Sequence, residues 1–79
     1  MMYYVYILKS LRDKKLYIGS TSDLKRRFTE HQAGKVKSTQ NRLPLEILFY
    51  EAYRDKETAQ RREKYLKSSD GHKDINKRF

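Results

Sequence analysis

Residues 3–19 read YYVYILKSLRDKKLYIG, and the two apolar ends of this stretch decide the fold. Tyr3 to Leu8 is aromatic, β-branched and almost wholly apolar, which predicts a central strand. Arg12-Asp13-Lys14-Lys15 is a polar turn, and Leu16-Tyr17-Ile18-Gly19 returns as a second short strand. The pair reads as a hairpin whose loop is longer than the tight two-residue type.

Working outward, Ser20-Thr21-Ser22-Asp23 is a cluster of helix-capping residues. It predicts a helix from Leu24 to Ala33, ended by Gly34. Lys35 to Leu43 is polar, basic and without periodicity, so it reads as a loop. Pro44 then opens a third strand over Leu45 to Tyr53. Asp55 is a natural N-cap for a second helix over Lys56 to Lys67. Ser68 to Gly71 reads as its break, followed by a charged tail, His72 to Phe79, with one or two helical turns. Strand, strand, helix, strand, helix is an α+β order: a small, mainly antiparallel sheet with helices packed against it. The length suits one domain over residues 1–79, with a small core and one surface for both binding and chemistry.

Composition narrows the function. Nineteen Lys and Arg against ten Asp and Glu give a net charge of +9, a strong bias toward polyanions. Cysteine is absent, which excludes disulfides and cysteine-based zinc sites and fits the cytoplasm. Seven tyrosines and three phenylalanines must supply much of the packing. The longest apolar run, Met1 to Leu8, is far below the roughly 20 residues that span a bilayer, so no membrane partner is expected. It also lacks the basic start and small-residue cleavage site of a signal peptide.

Polar residues stand out against this pattern. On the first helix, Leu24, Phe28 and His31 share a face by their spacing, and Arg27 neighbours His31 at i, i+4. A histidine on such a face is more often a satisfied boundary residue than a catalyst. On the second helix, Ala59, Glu63 and Leu66 share a face, so Glu63 sits where burial is expected. Two readings of Glu63 stay open: a structural salt bridge to Arg27 or Arg62, or a ligand for a hard cation. Tyr6 and Tyr17 in the hairpin are ordinary core tyrosines unless their hydroxyls find work.

Tyr4-Val5-Tyr6, followed by Tyr17-Ile18-Gly19, resembles the paired signature strands of the GIY-YIG nuclease superfamily. The likeness continues through Ser20 to Leu24, Arg27 and His31, then Thr39 to Pro44, the Tyr50-Glu51 pair, Arg61 to Lys64 and Leu66-Lys67. Those later segments resemble the small stand-alone bacterial branch. The resemblance implies a three-stranded antiparallel sheet flanked by helices. It implies an active site of Tyr6, Tyr17, Arg27 and His31, with Glu63 as the metal ligand and Gly19 structural at the site. Tyr4 stands where the first signature has glycine. Asn76 is the one counterpart for a late asparagine that many members carry near the metal.

The implied reaction is hydrolysis of a DNA phosphodiester with one divalent ion, Mg²⁺ or Mn²⁺, at Glu63. Arg27 would stabilise transition-state charge, Tyr6 would activate water, His31 would relay its proton and Tyr17 would position water or phosphate. Backbone grip would come from Lys35, Lys37, Arg42, Lys64 and Lys67, which fix position without reading sequence. Structure-selective cutting in repair or recombination is one pathway this allows, and mobile-element processing is another. Two alternatives share these features: a DNA-binding module without catalysis, and a subunit that depends on a protein partner for targeting. A basic RNA- or ribosome-associated protein is a third, which the site residues argue against.

Overall fold

The computed structural model describes residues 1–78. The elements run β1 (Tyr3–Ser10), β2 (Leu16–Thr21), α1 (Leu24–Gln32), β3 (Leu45–Tyr53), α2 (Lys56–Lys67) and α3 (Ser69–Arg78). The sheet has the order β2-β1-β3, with both pairings antiparallel. The apolar strand β1 thus takes the central position, where both of its edges are hydrogen-bonded and Val5 to Leu8 are buried on both faces. This is the expected α+β architecture with a third helix added.

Alternation along β1 divides the core. Val5 and Ile7 face a cluster with Ile18, Ala59, Leu66 and Ile75 that joins the sheet to α2 and α3. Tyr6 and Leu8 face the other way, onto Leu45, Tyr17, Leu24 and Phe28, which joins the sheet to α1. A register shift between Ile7 and Leu8 leaves Leu48 unpaired in β3, and Leu48 turns to the first cluster.

Helices α1 and α2 begin where their capping residues predict. Asp23 accepts from Arg26 N at 3.1 Å, and Asp55 accepts from Thr58 N at 2.8 Å. Gly34 follows α1 with φ +73°, the left-handed turn that favours glycine.

The C-terminal region corrects the sequence expectation. The break is Ser68 alone, and the tail is a ten-residue helix, with Phe79 outside the described residues. Ser68 ends α2 in extended conformation, and its Oγ accepts from Gly71 N at 3.2 Å, so it also starts α3. Gly71 is buried where α3 crosses α2, and a side chain there would collide with Tyr65 O and Leu66 Cα. Its role is close helix approach, not helix breaking.

The Lys35–Leu43 segment is irregular, as expected, but it is pinned. Ser10 Oγ donates to Arg42 O at 2.6 Å, and Leu11 N donates to Pro44 O at 2.8 Å. The Gln32 amide clamps the start of β3, donating to Leu45 O at 2.8 Å and accepting from Leu45 N at 3.1 Å. The result is a loop that buries Val36 and Thr39 beneath α1.

Candidate active site

Tyr6 on β1 and Tyr17 on β2 project from one face of the sheet, and His31 meets them from α1. The Tyr6 and Tyr17 ring centroids are 6.3 Å apart, and His31 lies edge-on to both, at 5.6 Å and 5.1 Å. Gly19 is the register partner of Tyr6. A Cβ at Gly19 would sit 2.5 Å from the Tyr6 hydroxyl, so glycine is required because the phenol lies across its α-carbon.

The Tyr6 hydroxyl and His31 Nε2 are hydrogen-bonded at 3.0 Å. On the far side of the ring, His31 Nδ1 meets Thr39 Oγ1 at 2.8 Å. Thr39 Oγ1 donates its single proton to Val36 O at 3.5 Å, so it accepts from His31 Nδ1–H. That arrangement assigns the ring proton to Nδ1 and leaves Nε2 as the acceptor for the Tyr6 proton. Tyr6, His31 and Thr39 are all fully buried, and every buried side-chain polar atom among the described residues has a partner.

Burial depresses the His31 pKa to about 4, and the Arg27 charge pushes it the same way. The imidazole is therefore neutral at physiological pH. Burial raises the Tyr6 pKa, against the pull of the neighbouring Arg27 guanidinium. Tyr17 and Glu63 add to the rise. The hydroxyl is thus protonated at rest, with Arg27 placed to favour its anion. Arg27 itself is held by Glu30, whose Oε1 accepts from Nη1 at 3.2 Å. A polar cleft of about 370 Å³ opens beside Arg27, lined by Ser20, Thr21, Ser22, Asp23, Arg26 and Glu30.

The sequence model of the GIY-YIG catalytic domain matches residues 2–78. The chain belongs to the GIY-YIG catalytic-domain family. A UPF0213 protein of Streptococcus pyogenes serotype M3 is 46% identical over 65 residues, spanning 81% of this chain and 70% of its own. A UPF0213 protein of serotype M1 of the same organism matches to the same extent. The solution NMR structure of UPF0213 protein BH0048 from Bacillus halodurans covers 98% of this chain and 84% of its own, at 35% identity and a TM-score of 0.60.

GIY-YIG nucleases work with divalent metal ions, and Glu63 is a carboxylate near enough to Tyr6 to raise its pKa. It reaches the site from α2, behind the sheet. Ser20, next to Gly19 but on the opposite face of β2, donates to Glu63 Oε1 at 2.6 Å. Lys67 Nζ donates to Oε2 at 2.7 Å. Of the salt-bridge partners expected from sequence, neither Arg27 nor Arg62 takes Glu63. Arg27 pairs with Glu30, and Arg62 pairs bidentately with Glu51 on β3. The partner is Lys67, one turn along the same helix, because the i, i+4 spacing needs no reach across the fold.

Among the described residues no three His, Cys, Asp or Glu side chains converge. A single carboxylate suits a hard ion that keeps several waters and takes its other oxygens from substrate phosphate. Glu63, its side chain 20% exposed, has the donor type for such an ion.

The remaining family expectations separate. Asn76 borders Lys9 and Leu16. Leu16 is four residues along β2 from Ser20, about 13 Å by strand rise, so Asn76 is not brought to the Glu63 end. Lys35, Lys37 and Lys64 are exposed. Arg42 is bound to its own fold, donating to Asp13 Oδ2 at 2.8 Å and to Leu16 O at 3.4 Å. Lys67 is half committed to Glu63. Sequence reasoning did not single out Thr39 or Ser20 as site residues. Each looks like an ordinary loop or cap residue until the chain folds back, and the only hint was that both lie in segments that resemble the family.

Proposed function

We propose that this chain is a metal-dependent DNA endonuclease that hydrolyses phosphodiester bonds, with the cleft beside Arg27 taking the scissile phosphate. The observation that carries the reading is the Tyr6 hydroxyl. It is buried, crosses the bare α-carbon of Gly19, and is held between His31 Nε2 and the Arg27 charge. The hydroxyl thus donates toward a base and lies beside a cation that favours its anion.

The attacking water gives its proton to Tyr6 oxygen as the phenolic proton moves to His31 Nε2. Thr39 holds the imidazole in the tautomer that can accept it. The His31 pKa of about 4 makes this transfer uphill in the free protein. A phosphate seated beside Arg27 offsets that cation and raises His31, which matches the base to the substrate-bound state. Arg27 also donates to the phosphoryl oxygens as charge builds there. Tyr17 packs against His31 and confines the water. Glu63 would hold a divalent ion, Mg²⁺ or Mn²⁺, which would supply charge neutralisation for the phosphate chemistry. Lys35, Lys37 and Lys64 would steer the backbone by charge, without sequence preference.

The test is cleavage of supercoiled plasmid, single strands, flaps and branched junctions with Mg²⁺ or Mn²⁺, with Arg27→Ala and Glu63→Ala run in parallel. Metal-dependent cutting abolished by both substitutions is the expected result. No cutting of any substrate, or cutting that both variants retain, overturns the reading in favour of a DNA-binding module or a partner-dependent subunit.

A further inference from the structure

The Tyr50-Glu51 pair belongs to the family resemblance, yet the chemistry above uses neither residue. Glu51 is structural: both its oxygens accept from Arg62, at 2.9 Å and 3.1 Å, and Tyr53 donates to it. Tyr50 has no comparable role. It is the β3 register partner of Tyr6 and so lies on the active-site face, yet it is 55% exposed where Tyr6 is 1% exposed. The sheet face is uncovered here because α1 reaches only part of it.

The uncovered strip is a groove of about 650 Å³, walled by Tyr4, Tyr50, Phe28, Leu24 and Ile47, with Lys25 on its rim. That volume lies within the roughly 300–1,000 Å³ of pockets that take small organic ligands. Tyr4 and Tyr50 are set edge to face, with centroids 6.0 Å apart and planes at 67°. Ser22 and Asp23 line both this groove and the polar cleft beside Arg27. The aromatic groove and the polar cleft thus adjoin along Ser22 and Asp23.

We propose that the aromatic groove takes an unpaired nucleobase from the strand whose phosphate sits beside Arg27. The base stacks on Tyr50, and Lys25 meets its backbone. The proposal rests on the reading that the polar cleft is the phosphate site, and it names the substrate class: DNA with a single-stranded stretch at the cut. The chemistry decides the occupant. Flat aromatic faces suit any base, and a net charge of +9 draws a polyanion to them. In a duplex the base faces are already stacked on their neighbours and cannot enter.

Binding is measured by fluorescence anisotropy in EDTA, so that cleavage plays no part. The probes are a short labelled oligothymidylate and a blunt duplex of equal length, with Tyr50→Ala, Tyr50→Leu and Tyr50→Phe variants. Expected is a roughly 5- to 100-fold weaker grip on the single strand for Tyr50→Ala, from the loss of one stacked base. Tyr50→Leu should lose nearly as much despite keeping apolar bulk. Tyr50→Phe should bind like the parent, and duplex binding should stay within about twofold throughout. Unchanged single-strand binding in Tyr50→Ala, or an equal loss on both probes, overturns the groove. If that happens while metal-dependent cleavage persists, the nuclease reading stands and only the base subsite falls.

Discussion

The two faces of β1 are built on opposite principles. Toward α2 and α3, Val5 and Ile7 bury against Ile18, Ala59, Leu66 and Ile75, and the charged groups stay at the margin as the Glu51–Arg62 pair. Toward α1, the alternate residue Tyr6 carries a hydroxyl into full burial, and a chain of polar groups must follow it: His31, Thr39 and finally the Val36 carbonyl. The first face can lose a contact and keep its shape. The second cannot lose a link without stranding the next buried donor or acceptor. One side of the strand is therefore apolar packing, and the other is a buried hydrogen-bond chain.

Substitutions that separate the faces should show this. The largest effect is expected from Tyr6→Phe, which removes the hydroxyl and keeps the ring. Cleavage should fall by about 10²- to 10⁴-fold, the range for general acid–base groups. Stability should fall by about 1–3 kcal/mol, because His31 Nε2 is left buried without a donor. Kinetics alongside denaturant melts would check both, and full retention of activity would remove Tyr6 from the chemistry.

Leu66→Ala is the mirror case on the other face. A fully buried leucine cut to alanine should cost about 2–5 kcal/mol, seen as a lower urea midpoint. Turnover per folded molecule should stay near the parent value. A loss of turnover in fully folded variant would show that the faces are coupled.

Acid should act on the α1 face first. An unfolded histidine titrates near 6.5 and His31 near 4, so the folded pKa is depressed. Its contribution is therefore fully present above pH 6.5 and is lost as pH falls toward 4. The loss amounts to roughly 3 kcal/mol over that window. Stability measured from pH 7 to 4 should show this slope, and His31→Gln should flatten it. An unchanged slope in the variant would assign it to other groups.

The smallest expected effect belongs to Thr39→Val, which leaves His31 Nδ1–H unpaired at a cost of about 1–3 kcal/mol. Nitrogen NMR of the imidazole should report a mixed tautomer in the valine variant and the parent tautomer in Thr39→Ser. The valine variant should also lose turnover that the serine variant retains. An unaltered tautomer with valine would leave Thr39 a packing residue only.

Much of the architecture was legible in order and spacing. The apolar run Tyr3 to Leu8 and the return at Leu16 marked the hairpin, and Asp23, Gly34 and Asp55 marked helix ends, because caps and periodicity are local chemistry. Helix spacing also set His31 and Glu63 on faces where a polar group needs a reason. The C-terminal helix was missed because Ser68 to Gly71 carries breaker residues. Only the crossing of α3 over Leu66 shows that Gly71 permits packing rather than ending a helix.

The sequence by itself determined the elements, their order, the basic charge and the family of the chain, since each depends on neighbours a few residues apart or on composition. Tertiary structure alone decided which polar groups meet. It put Thr39 under His31 across a loop, gave Glu63 to Ser20 and Lys67, tied Arg42 to Asp13, turned Asn76 away and left Tyr50 bare. Those partners are set by strand register and by the path of the chain between elements, and a hydrogen bond reaching about 3 Å responds to both while local pattern records neither.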